Sequence, residues 1–359
     1  MRRWRMAFAY AVLSAGLFLW GFDPAVALTN EQIAQLSGPN RQKLLEEGAR
    51  KEGELLWLGS FNEENAKPIL QGFAARYPFI KVNRVRTDST KALQRVLAEL
   101  RARQSRTDLI TSNAVVELRE AGAVLSFRSP VLDQFAQEDR DPDGYSAPLY
   151  FVNYGLAAYN TNQVSAADAP KSYDDLLDPK WRGQMTFASS ASGALFFVSF
   201  LRMSWGDEKA KDYLQKLSLQ KIVGRTESAR TVLGMVASGE HKIMINPFLT
   251  HVGELARKGA PLAVLMVNPT PVSSTPVLMA KTAPHPYATM LLIDYLLDKE
   301  AQGMLRDAGY FPANPNVEPS RELKPYSPKE RGLNKYIVDD TKLGLMMGDT
   351  AALFQKLFE

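Results

Sequence analysis

The 359-residue chain contains no cysteine, which removes disulfides, thiolate metal sites and cysteine nucleophiles in one step. Histidine is nearly as scarce, with only His241, His251 and His285 in the whole sequence. No GxSxG elbow, Walker loop, HExxH helix or dinucleotide glycine motif occurs, so the usual catalytic frameworks are missing. Ser189 to Gly193 offers serines but no accompanying histidine or lysine motif, and catalysis is not expected. Beyond residue 27 no apolar run is long enough to span a bilayer, which takes about 20 residues. Low-complexity tracts and short internal repeats are also absent.

What is present begins with a leader. Arg2, Arg3 and Arg5 form a basic start, residues 6–22 are apolar, and Asp23-Pro24 break the run just before Ala25-Val26-Ala27. That order is the pattern of a secretory signal, read here as residues 1–27 with the mature chain starting near Leu28. No cysteine follows the run, so a lipid anchor is excluded. Cleavage removes three arginines and one aspartate, and the formal charge falls from +4 to +2. Nucleic-acid binding would need a clustered basic face, and residues 95–106 instead alternate charged and apolar residues as a solvated helix does. About 330 residues remain, enough for two domains of roughly 150 residues and for large cores without staples.

Along the chain, strands and helices alternate. Residues 55–58 and 81–85 read as strands, with a helix between them carrying Ile69, Leu70, Phe73 and Tyr77 on one face. Ser89 or Thr90 is placed to cap a helix whose Leu93, Val96, Leu97 and Leu100 share a face, and residues 108–110 read as a third strand. The β-α-β-α-β order implies a parallel sheet whose ligand side is the carboxyl edge of the strands. Ser60, Phe61, Ser89, Thr90, Ser112 and Asn113 fall at that edge. A second α/β unit starts after Asn160. Ser172-Tyr173-Asp174-Asp175 reads as a capping box opening a helix, and strands follow at 185–187, 221–223, 241–245 and 263–267. Ser190, Ser192 and Gly193 lie between a strand and an apolar helix, where free N–H groups and the helix dipole favour an anion. Arg225 and Thr226 follow the next strand, and the planar Arg225 fork suits a carboxylate or phosphate.

Several motifs in order resemble the bacterial extracellular solute-binding proteins of ABC importers. They are Tyr154 to Thr161 (YGLAAYNT), Pro170 to Gly183 (PKSYDDLLDPKWRG), Val236-Ala237-Ser238-Gly239-Glu240, and Ala283-Pro284-His285-Pro286 before a long helix. Gly309 to Pro312 and the opening Gly38 to Gln42 add to the match, which is nearest the ferric-ion, thiamine and polyamine branch. The resemblance implies a type II periplasmic-binding-protein fold: two α/β lobes joined by two crossing strands, with the ligand cleft between them. It implies lobes of residues 28–154 plus 275–318 and of 157–270 plus 319–359. The crossings are expected near residues 150–156, which would put Tyr154 in the cleft wall, and near 273–279. A periplasmic, monomeric protein that hands a small molecule to an inner-membrane permease is the role implied, with no cofactor and no nucleic acid.

Iron-binding members of this branch present paired tyrosines after the strand that here ends at Ile245. This chain has Asn246-Pro247-Phe248-Leu249 there, so Asn246 and Phe248 become cleft candidates and ferric ion, a hard cation wanting anionic oxygens, loses favour. His285 reads as a helix cap rather than a ligand. The expected cleft offers few acids for a polyamine, chiefly Asp88 and Glu227. An anionic solute is therefore expected, with a ferric-ion or polyamine ligand, or a reporting role at a membrane sensor, as alternatives.

Overall fold

The computed structural model describes residues 28–359 apart from Ser60 and Asn62, so the leader and the Ser60 candidate lie outside the described residues. Among the described residues thirteen strands form two sheets, and their ranges explain the chain order. The larger sheet begins with β1 (Glu54–Gly59), β2 (Lys81–Arg86) and β3 (Leu109–Thr111), which pair in parallel with β1 in the middle. It is extended by β4 (Val124–Leu125) and β5 (Ala147–Asn153). The chain then passes through Tyr154 into β6 (Ala157–Asn160) of the smaller sheet, joined there by β7 (Met185–Ala188), β8 (Val223–Arg225), β9 (Ile243–Ile245) and β10 (Leu262–Leu265). The long β11 (Thr270–Ala280) returns to the larger sheet between β5 and β3, and β12 (Phe311–Pro312) and β13 (Lys335–Ile337) complete it. The return passage is therefore residues 266–269, upstream of the 273–279 stretch expected from the sequence, because 270–280 is already paired with β5 and β3.

Parallel strands covered on both faces need continuous apolar sequence, and Leu55, Trp57, Leu58, Leu109 and Ile110 are all fully buried. The helix Pro286–Leu297 is apolar nearly all round because it is buried nearly all round. Three polar groups inside this lobe are fully partnered. Gln302 donates to Leu149 O and Leu296 O, both at 2.8 Å, and accepts from the N–H groups of Ala313 and Asn314. Arg41 forms an ion pair with Asp294 and donates to Leu36 O and Arg128 O. Asp108 accepts from Leu56 N, His285 N and His285 Nδ1 at 2.7–2.9 Å. His285 thus stands at a helix start as expected, but its ring holds Asp108 and makes no cap bond.

The smaller lobe packs Phe187, Phe196, Phe200 and Leu201 around its sheet, with Ile243 and Ile245 inside. The expected helix after Ser172 is one 3₁₀ turn, Asp174–Leu177, because Pro179 stops it within a turn. Its Asp175 carboxylate still accepts from Lys171 N and Ser172 N, and Asp175 N donates to Ser172 Oγ. The last helix, Asp340–Phe358, lays Phe354 and Phe358 on Phe187 and bonds Thr350 to Ser199 and Arg202. Its first half reaches the other lobe, where any side chain on Gly344 would come 3.1 Å from Val116.

Candidate functional site

The parallel strands of both sheets end toward the space between the lobes, and the site is best built from those ends. On the smaller lobe, β7 stops at Ala188. Ser189 N then donates to Arg225 O at 2.6 Å, and Ser190 takes the extended N-cap conformation before a wide helical turn over 191–195. That turn leads into the apolar helix Phe196–Trp205. Within it Gly193 has φ −101° and ψ −106°, outside helical values. A Cβ there would sit 2.3 Å from Ala188 O, so only glycine fits. Ser192 is described by its backbone alone. Asn246, in the left-handed region at φ 54°, turns its amide into the same loop and donates to Gly193 O at 3.0 Å. Its Oδ1 is buried without a partner. The turn is also held from within, since Ser190 N donates to Ala188 O and Gly193 N and Leu195 N donate to Ser190 O, and it stands at a helix start, where the macrodipole is positive.

Tyr154 stands in the crossing strand, buried, with its ring stacked 4.0 Å from Phe196 and edge-on to Phe248 at 5.0 Å. Its hydroxyl lies 3.3 Å from Ser273 Oγ on β11, so one side chain ties both crossing strands to the start of the helix Phe196–Trp205. Phe248 is half-buried and also packs on His251 at 5.1 Å.

On the larger lobe, the edge carries polar groups engaged with one another. Ser112 Oγ accepts from Ala114 N, Asn113 N donates to Ser89 Oγ, and Asn113 Nδ2 donates to Ser274 O. Asp88, rather than Ser89 or Thr90, caps the helix, its carboxylate accepting from Lys91 N at 2.8 Å. Thr90 is left exposed. Phe61 does not form an open wall: it is 2 % exposed, within 5.6–6.0 Å of Trp57, Tyr150 and Tyr310.

Arg225 departs furthest from its expected place. Strand β8 is Val223–Arg225, two residues later than the pattern suggested, because Lys221 takes a left-handed turn at φ 51°. Arg225 therefore lies within the sheet edge, its guanidinium paired with Glu240 and 3.1 Å from His241 Nε2. Thr226 is exposed beyond it. One guanidinium nitrogen of Arg225 is thus engaged by the chain itself, while its Nε is buried without a partner.

Beside these strand ends, a cavity of about 810 Å³ opens between the lobes. Glu64, Asn65 and Tyr310 line it from the larger lobe, and Arg230, Thr250 and His251 from the smaller one. None of the described sequence candidates lines it. Two of them stand close to it in the chain, Phe248 two residues before Thr250 and Phe61 three residues before Glu64. Burial, with Arg230 nearby, pushes His251 down to about 4, so its ring is neutral at ordinary pH. A second opening of about 710 Å³ lies on another flank, bounded by Val115, Phe151, Ser274 and residues 337–339. Among the described residues no group of three or more histidine or acidic side chains could hold a metal ion, and no helix is long and apolar enough to cross a membrane.

Two sheets, a double crossing and strand ends facing a shared cleft define a binding architecture, and the comparisons agree with it. Residues 107–331 match the pattern that defines the bacterial extracellular solute-binding proteins. The chain belongs to that family. A protein of Haemophilus influenzae described only as uncharacterized is 24 % identical over 265 residues, 71 % of this chain and 75 % of that one. Solved structures give the fold. The Trichodesmium protein FutA, in complex with iron and citrate, superposes with a TM-score of 0.73 at 18 % identity, covering 85 % of this chain and 99 % of that one. A ferric binding protein from Campylobacter jejuni gives 0.72 at 18 % identity, covering 84 % and 99 %. AfuA from Actinobacillus pleuropneumoniae, bound to fructose-6-phosphate, gives 0.66 at 22 % identity, covering 86 % and 99 %. The fold is thus the type II periplasmic-binding arrangement, and family members are binding proteins rather than enzymes.

Proposed function

We propose that this solute-binding protein captures a small organic anion, a phosphate ester, phosphonate or carboxylate, between its lobes and delivers it to an ABC permease. The observation that carries the reading is the turn from Ala188 to Gly193. It is locked by a glycine that nothing else can replace and by the Asn246 amide on Gly193 O, and it stands at the carboxyl end of β7 and the start of the apolar helix, a place that favours an anion. Preorganised donors of this kind favour an anion without the cost of ordering a loop on binding. AfuA, which shares the fold, holds a phosphorylated sugar. Iron fits less well, since Phe248 and Leu249 follow β9 where two phenolates would be needed.

The protein acts as a periplasmic monomer after loss of residues 1–27, and closure of the lobes brings the Ser89 and Asn113 edge onto the bound solute. Native mass spectrometry of the protein purified from its own periplasm tests the reading. A bound organic anion is the expected result, and a bare metal ion or a polyamine would overturn it. Permease and ATPase genes beside its own would mark an importer, and a sensor-kinase gene alone would mark a sensor.

A further inference from the structure

The larger lobe carries a cation that is without a counter-ion among the described residues. Strand β2 ends at Arg86, paired in register with Gly59, the last residue of β1. Arg84 and Arg86 are two residues apart in a strand and so project from the same face of the sheet. Arg84 is consumed internally. Its side chain is 4 % exposed, lies over the Trp57 ring at 4.7 Å, donates to Phe61 O and pairs with Glu63 at 2.9 Å. Arg86, one step nearer the ligand edge, is exposed, and its side chain makes no ion pair or hydrogen bond among the described residues. Its charge reaches the cleft wall. It acts on the hydroxyl of Tyr310, which lines the cavity and accepts from Asn65 at 2.9 Å. It also repels Arg84, whose ionisation is pushed down by burial and by this second cation, against the pull of Glu63.

Two guanidiniums share one face, and with Glu63 paired to Arg84 the charge at the strand end is that of Arg86, while Glu64 lines the neighbouring cavity. An anion placed there would be favoured by Coulomb attraction and by the planar donor fork. The smaller lobe meanwhile offers the helix start at Ser190 to Gly193, which is also an anion-favouring element. We propose that Arg86 is the larger lobe's anion clamp: it engages the solute held at Ser190–Gly193 when the lobes close, and so selects anionic over neutral solutes of the same shape.

This inference rests on the anion reading above and adds the residue that makes the second contact. The test is calorimetric titration of the wild-type protein, Arg86→Gln and Arg86→Lys with inorganic phosphate, citrate and fructose 6-phosphate. Urea unfolding midpoints serve as the folding control, since an exposed Arg86 leaves them unchanged. The probe that binds the wild type should bind Arg86→Gln at least about tenfold more weakly. Arg86→Lys, which keeps the charge and loses the fork, should recover most of that loss. A wild-type protein that binds a probe and an Arg86→Gln variant that binds it equally well would overturn the clamp and leave the anion reading standing. A wild-type protein that binds none of the three probes would overturn both.

Discussion

Replacing Gly193 with alanine probes the one local geometry on which the site depends. The added Cβ would sit 2.3 Å from Ala188 O and 2.9 Å from Ser190 Oγ. A carbon and a carbonyl oxygen settle at about 3.3 Å or more, so something must move by about 1 Å. The Ser190 hydroxyl can rotate away. Ala188 cannot easily yield, because it is buried at the end of β7 and held in register with Arg225 on β8. The turn itself must therefore swing outward, pulling Gly193 O from the Asn246 amide. Overpacking of this kind costs about 1–3 kcal/mol of stability. Displaced donors lose a charge-assisted hydrogen bond worth about 1.5–3 kcal/mol, or one to two orders of magnitude in affinity. Urea unfolding measures the first effect and calorimetry with the co-purified solute the second. Gly234→Ala is the control, since a Cβ there meets nothing within 4 Å inside the helix Ala229–Ser238. It should be neutral or slightly stabilising. A Gly193→Ala protein as stable and as tight-binding as the wild type would refute the reasoning about this turn.

Two further outcomes follow from buried charge. Arg41→Ala should lower stability by about 3–5 kcal/mol, because it strands the Asp294 carboxylate, whose ionisation burial already opposes. The double variant Arg41→Met/Asp294→Leu should recover much of the loss in the same urea assay, and a double variant as weak as the single would contradict this account. His251 should make the protein acid-sensitive. Its folded value of about 4, set first by burial and then by Arg230, lies below the ordinary 6.5. The native state therefore prefers the neutral ring, and the stability this confers is full above pH 6.5 and lost as pH falls toward 4, about 3 kcal/mol in all. Unfolding midpoints of His251→Gln should stay flatter than those of the wild type across that window, and parallel curves would count against it.

Much of the fold is legible in the sequence because apolar strands and periodic helices report burial directly. Leu55, Trp57 and Leu58 read as a strand and are one, and the segment from Met185 to Met203 reads as strand, serine turn and apolar helix and is built that way. The return crossing is less legible. Residues 270–280 have the same alternating small and apolar character whether they bridge lobes or lie in a sheet, and only their pairing with β5 and β3 decides it. The inter-lobe cavity is also poorly announced. Asn65, Thr250 and Tyr310 come from three distant stretches, and nothing local marks them as neighbours. His251 carried a signal, as one of three histidines in the chain, but scarcity alone does not place a side chain.

The two arginines show where reading the chain by strand edges succeeds and where it slips. Arg225 looked like a residue after a strand because Lys221 to Val223 is apolar enough to be one. The left-handed turn at Lys221 delays the strand by two residues, and that shift carries Arg225 from the loop into the sheet edge, beside Glu240 and His241. A shift of this size is set by one backbone dihedral, and the sequence gives no apolar contrast that would reveal it. Arg86 obeys the same rule without the slip: it ends the second parallel strand and stands at the carboxyl edge. In the sequence Arg84-Val85-Arg86 has the same pattern as a solvated strand edge, so nothing local distinguishes it. What separates the pair physically is the supply of carboxylates. Arg225 has Glu240 within reach, Arg84 takes Glu63, and among the described residues no acid pairs with Arg86. Charge left over after local pairing is a property of three dimensions, set by which acids the folded chain brings within reach of each arginine.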